Sequence, residues 1–214
     1  NRSLFKDGFN IQDIAGVRVL MLKANHTEAS PLHDKAVRSA IAHIINYDSM
    51  AKIIGNGSTP GAAPFPPSAN LGYDAIANKP MTDVAKADQI LTQAGYAKNA
   101  NGIYAKDGKE LSLTLAIWGK DTSLYEEIQQ ELKQAGIAVT LKKLQSAGEV
   151  DTLGTDSFDM VERAVVTMST NDPYWYLSLF YKTGAKANVG AYSNPQVDAL
   201  IDQLSVTFDQ NKRS

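Results

Sequence analysis

With 214 residues, 43% of them hydrophobic and 21% charged, the chain can bury a substantial core as one large domain or two small ones. A net charge of −2 gives no electrostatic reason to bind nucleic acid or an anionic membrane, and no apolar run approaches the length that spans a bilayer. The absence of cysteine excludes disulfides, thiolate catalysis and iron–sulfur ligation, and fits an exported protein that avoids stray oxidation.

Residues 17–25, VRVLMLKAN, are β-branched and apolar enough for a buried strand. Across residues 31–54, apolar positions at Val37, Ala40, Ile41, Ile44, Ile45, Met50 and Ile53 recur at helical spacing. The pattern breaks near Asn46-Tyr47-Asp48, with Asp48 expected to cap the second helix. Residues 58–74, STPGAAPFPPSANLGYD, then hold four of the eight prolines, which predicts a stiff surface loop. Thr82-Asp83 caps a short helix that ends at Gly95, and Asp107-Gly108 marks the turn of a hairpin within residues 99–109.

Residues 111–118 form a strand, 121–135 a helix with Leu124, Ile128 and Leu132 on its core face, and 137–144 a second strand. Gly136 stops that helix. Strand, helix, strand at this spacing predicts parallel neighbours. A further strand at 158–168 leads to a helix that starts at Asp172-Pro173. A last helix opens at Asn194-Pro195 and carries an apolar stripe of Val197, Leu200, Ile201, Leu204 and Phe208. The fold class is α/β. The ends, without an initiator Met and with the stripe still running, read as those of a piece excised from a larger protein.

Motifs for catalysis are absent: no G-x-S-x-G, no G-x-x-x-x-G-K-[ST] and no G-x-G-x-x-G occurs. The spacing of His26, His33 and His43 matches no local metal signature. His43 reads as a packing residue, and His26 and His33 as solvated. Glu126, Glu127 and Glu131 read as a solvated helix face. The aromatic run NDPYWYLSLFY, with Tyr174, Trp175, Tyr176, Phe180 and Tyr181, is expected to divide between the core and a ligand cleft.

Four segments in order carry a resemblance: DKAVRSAIAHIINYDSMAKII, GNGSTPGAAPFPPSANLGYD, KADQILTQAGY, and FDM followed by NDPYWYL. Together they resemble the bacterial solute-binding proteins of peptide/nickel-type ABC importers. The resemblance runs from about residue 17 to the C-terminus. It implies a two-lobed fold that closes on ligand, of which residues 17–214 would be the C-terminal lobe and residues 1–16 a connecting segment. The sheet would be mixed and flanked by helices. The implied partners are the missing N-terminal lobe, the importer's permease subunits and a small-molecule ligand, with no nucleic acid and no catalysis.

In peptide-type members an aspartate four residues before the proline of the D/E-P motif holds the ligand's α-amino group. Here that position is Ser169, which disfavours free-amine ligands, because a buried ammonium without a carboxylate is costly. The pattern is closest to nickel-type members, so the expected ligand is a metal chelate, nickel first, with peptides as the alternative. The residues KTGAKANVGAYSNP contain no histidine to ligate metal directly. Cleft candidates are Met168, Ser169, Thr170, Asn171, Tyr174, Trp175 and Phe65, with no resident cofactor. The implied location is extracytoplasmic, in the periplasm or on the outer face of the cell membrane, with or without a lipid anchor. An α/β enzyme and a scaffold module are the readings from other classes.

Overall fold

The computed structural model describes residues 16–55, 57–66, 81–169 and 172–213. The N-terminal segment and the second half of the proline loop lie outside them.

A four-stranded mixed sheet organises the chain. Its strands are β1 (Arg18–Ala24), β5 (Ser112–Ile117), β6 (Ala138–Lys143) and β7 (Met160–Val166), in the spatial order β1-β7-β5-β6. β5 pairs in parallel with both β6 and β7, while β1 runs antiparallel to β7. The parallel β5–β6 pair is joined by α4 (Ser123–Ala135), as the strand–helix–strand spacing predicts. β1 is therefore an edge strand. Only Lys23 along it is fully buried, so the expectation of a buried strand at 17–25 is corrected. Its apolar residues cover one sheet face each, as an edge position requires.

Alternation in β5 gives each face its own core. Leu113, Leu115 and Ile117 join the larger cluster, with Val37, Ile41, Leu91, Ile128 and Leu132 from α1 (Lys35–Ile44), α3 (Val84–Gln93) and α4. Ala116 points the other way into a smaller cluster with Leu144, Val150, Phe158, Val161 and Val189. Each fully buried Leu or Ile contributes roughly 1.5–3 kcal/mol relative to exposure.

Asp34 caps α1 by accepting from Ala36 N at 2.8 Å. The second helix, α2 (Tyr47–Ile54), is capped by Asn46, whose Oδ1 accepts from Ser49 N at 3.0 Å, and not by Asp48, which lies in the first turn. The cap falls two residues earlier than expected because Ile45 is extended. Asp83 caps α3 as expected. On α4 the core face is Tyr125, Ile128, Leu132 and Ala135, with Leu124 only partly buried at its edge. Glu131 is no mere solvated charge, since its Oε2 accepts from Asn46 N at 3.0 Å and ties α4 to the start of α2. Gly136 ends α4 at φ 103°, where a Cβ would lie 2.7 Å from Gly102 O, so only glycine fits.

A small sheet of β2 (Ala97–Lys98), β3 (Tyr104–Lys106) and β4 (Lys109–Glu110) contains the expected hairpin. Asp107 and Gly108 both adopt positive φ, as a type I′ turn demands. Near the C-terminus, α5 (Pro173–Phe180), α6 (Pro195–Val206) and α7 (Gln210–Arg213) follow β7. Of the apolar stripe on α6, Ile201 is buried, while Leu200 and Phe208 are 64% and 87% exposed, and Phe208 lies beyond the helix. Val197 and Leu204 are half-buried, so the stripe packs along one edge and leaves the other outward.

Candidate functional site

The carboxyl ends of β5 and β7 lie at one end of the sheet, the place where open α/β sheets gather ligands. α5 starts there and runs back across the sheet face that carries the smaller core. Asp172 caps it, accepting from Tyr174 N at 2.8 Å, and Pro173 occupies the first turn. The C-terminal segment braces this cap. Arg213 donates from Nη2 to both carboxylate oxygens of Asp172, at 2.7 and 2.6 Å, and from Nη1 to Leu204 O at 2.7 Å.

The aromatic run divides as helical geometry dictates. Tyr176 and Phe180, one turn apart, face the sheet and stack at 4.8 Å, with Tyr176 wholly buried. The Tyr176 hydroxyl donates to Met21 Sδ at 3.1 Å. Tyr174 and Trp175 face outward, 38% and 37% exposed, and the Trp175 ring meets Phe180 edge-on at 6.1 Å. Phe65, half-buried on the proline loop, sets its ring edge-on to Tyr176 at 5.6 Å. The proline loop and α5 therefore share one aromatic cluster. Met168 is buried and Ser169 exposed; Thr170 and Asn171 lie outside the described residues.

Two cations on the same sheet face were not singled out from the sequence. Arg163 stands opposite Met21 in the β1–β7 register, with its guanidinium 5.6 Å from the Phe180 ring. Its side chain is 13% exposed, its Nη2 pairs with Asp151, and its Nε is buried without a hydrogen-bond partner. Lys23 lies further along β1, its Nζ donating to Phe180 O at 2.7 Å and sitting 4.4 Å from the Tyr181 ring. It thus satisfies a carbonyl at the C-terminus of α5, where the helix dipole favours a cation. No motif marks these residues. A charge within an apolar strand run was the available signal.

Burial first, and then the Arg163 charge, pull the Lys23 pKa down to about 8 from an ordinary 10.5. A depressed folded-state pKa means that this contribution to stability is present above 10.5 and is lost as pH falls through about 8. Relative to Lys23→Met, the wild-type chain should therefore gain stability, on the order of 2–3 kcal/mol, as pH rises across that window. Denaturant midpoints of both proteins across this range measure it, and parallel curves would remove Lys23 as the source.

His26 is not solvated as expected. Its ring packs edge-on to Tyr192 at 5.2 Å, and burial, with the charges of Arg38, Lys23 and His33, holds its pKa down to about 4. It stays neutral at neutral pH. His43 is half-buried, with Nδ1 2.9 Å from Ser39 O. Among the described residues no group of three or more His, Asp or Glu side chains could hold a metal ion. At the opposite end of the sheet a polar cavity of about 110 Å³ is ringed by Asn25, Ser30, Thr114 and Asp159. There the Asp159 oxygens are already committed to Ser30 Oγ at 2.6 Å and Thr114 N at 2.8 Å, which marks it as a structural corner.

The outward-facing Tyr174 and Trp175 and the mostly covered Arg163 guanidinium are linked through Phe180, whose ring meets both Trp175 and Arg163. "Probable D,D-dipeptide-binding periplasmic protein DdpA" of Escherichia coli is 29% identical over 214 residues, covering 96% of this chain and 38% of that protein. The "Nickel-binding protein NikA" of Staphylococcus aureus is 26% identical over 204 residues, covering 93% and 38%. Among solved structures, a nickel ABC transporter protein from Bacillus halodurans superposes with a TM-score of 0.79 at 25% identity, over 92% of this chain and 41% of that one. AppA from Bacillus subtilis, in complex with a nonapeptide, shares the fold with a TM-score of 0.78 at 23% identity, over 92% and 40%. The chain thus spans about two fifths of the length of these relatives. Residues 4–188 match the family described as "Bacterial extracellular solute-binding proteins, family 5 Middle", and the chain belongs to that family.

Proposed function

We propose that this chain is the ligand-binding C-terminal lobe of an extracytoplasmic receptor that delivers a small organic ligand to the permease of an ABC importer. The ligand carries a carboxylate, and a nickel chelate is the first candidate. One observation carries this most directly: α5 presents the exposed Tyr174 and Trp175 just after the carboxyl end of β7, the mostly covered Arg163 rises from that strand against the Phe180 ring, and position 169 is an uncharged serine. Aromatic faces suit a chelate's imidazole frame, and the guanidinium suits its carboxylate. Met168, Ser169, Thr170, Asn171, Tyr174, Trp175 and Phe65 remain the proposed lining, with Arg163 added. Short peptides are the second reading, favoured by the same guanidinium, which fits a peptide C-terminus equally well.

The test is calorimetric titration of the full-length receptor with nickel–L-histidine and with tetra-alanine. The chelate should bind more tightly. The reverse order would favour the peptide reading, and silence from both would sink the receptor function. Ser169→Asp should shift preference toward tetra-alanine by restoring a carboxylate for its ammonium. No gain, with the fold intact, would show that Ser169 does not occupy the anchoring position.

A further inference from the structure

We infer that Asp151 is the resident counter-ion of Arg163, a carboxylate on the cleft wall that the ligand's own carboxylate displaces, and that it thereby sets how tightly the receptor holds anionic ligands. The inference rests on the receptor function proposed above.

Asp151 belongs to the 3-10 turn Ala147–Thr152 and pairs with Arg163, whose guanidinium lies against the Phe180 ring of α5. Its neighbour Val150 is 1% exposed in the smaller core, so the turn is anchored and Asp151 is presented at a fixed place. The two partners differ sharply in burial: the Asp151 side chain is 54% exposed and that of Arg163 only 13%. A pair with one wet partner adds little to the stability of the fold. The half-buried geometry instead matters for the arginine, whose charge would otherwise stand uncompensated on the sheet face.

The contact also leaves Arg163 unsaturated. Asp151 engages Nη2 through Oδ1, and Nε has no partner. Lys23 places a second positive charge on the same face, bonded to a neutral carbonyl rather than to a carboxylate. Among the described residues Asp151 is the one carboxylate bonded to either cation, so the positive charge of Arg163 and Lys23 is under-compensated and favours exchange of this wet partner for a ligand carboxylate. A ligand carboxylate entering from the cleft meets Arg163 through the oxygen position that Asp151 holds, so the two compete. Removing the competitor should tighten binding, the opposite of what loss of a ligand-contacting residue does.

The experiment uses the full-length receptor, nickel–L-histidine, and nickel–L-histidinamide as the chelate lacking the carboxylate; tetra-alanine and its C-terminal amide form a second pair. Asp151→Asn should tighten binding of the carboxylate probe roughly threefold to tenfold and leave its amide unchanged. Asp151→Ala is the second variant, because asparagine retains a hydrogen-bonding oxygen. The gain should vanish on an Arg163→Gln background, as a double-mutant cycle requires. Equal or weaker binding in both Asp151 variants, with circular dichroism unchanged, overturns the counter-ion role and leaves the receptor function standing. A gain that persists without Arg163 does the same. Failure of every probe on the wild type sinks the receptor function itself, and this inference with it.

Discussion

On the function proposed above, Arg163→Gln in the full-length protein should weaken binding of a carboxylate-bearing ligand by roughly thirtyfold or more, since truncating one partner of a desolvated charge pair costs about 2–5 kcal/mol. The guanidinium is held for this role by its surroundings. It rises from the middle of β7, is covered by the Phe180 ring at 5.6 Å, and presents a planar fork of donors suited to a carboxylate. Glutamine keeps much of the length but loses the charge and the forked donors. Titration with nickel–L-histidine and with nickel–L-histidinamide separates charge recognition from packing. The carboxylate probe should lose its affinity and the amide should lose little. Equal losses on both would assign Arg163 to supporting Phe180 rather than to meeting the ligand.

Tyr176→Ala should destabilise the chain by about 3–5 kcal/mol, as expected when a fully buried aromatic is deleted. The ring touches Phe180 at 4.8 Å, Phe65 at 5.6 Å and Tyr181 at 5.7 Å, and its hydroxyl reaches Met21. Its removal would open a cavity between α5 and β1 and release the proline loop from the helix. Trp175→Ala, one residue earlier on the same helix, removes a ring that is 37% exposed and should change stability by less than about 1 kcal/mol while altering ligand affinity. Denaturant unfolding of the two variants beside the wild type measures the contrast. Similar losses in both would mean that Trp175 is a core residue and would remove it from the cleft.

The elements themselves were legible because their signals are local. Helical spacing at 31–54 and 121–135, the Asp83 cap, the Asp107-Gly108 turn and the stop at Gly136 each depend on a few neighbouring residues and their φ and ψ preferences. The parallel β5–β6 pair followed from the length of the crossover between them. Resemblance over four ordered segments indicated the family, and the match over residues 4–188 bears it out. Some details escaped even at short range. Asn46 and Asp48 are both capable caps, and only the extended Ile45 decides between them.

What lay beyond the sequence was which side chains meet. The aromatic run was visible, but whether Tyr176 or Trp175 faces the sheet depends on how α5 sits against β1 and β7. His26 looked like a loop residue until Tyr192 was placed against it. The stripe on α6 looked like a core face, yet Leu200 stands exposed because periodicity marks a face without supplying its partner. Arg163 shows the limit most plainly. A charge within an apolar strand run is all that marks it in the chain, and its surroundings come from Met21 across the strand pair, Phe180 on α5 and Asp151 on a separate turn. Local backbone preferences are written in adjacent residues; a charged group's burial and its partners are set by strand register and packing between distant segments, and only the folded chain brings those together.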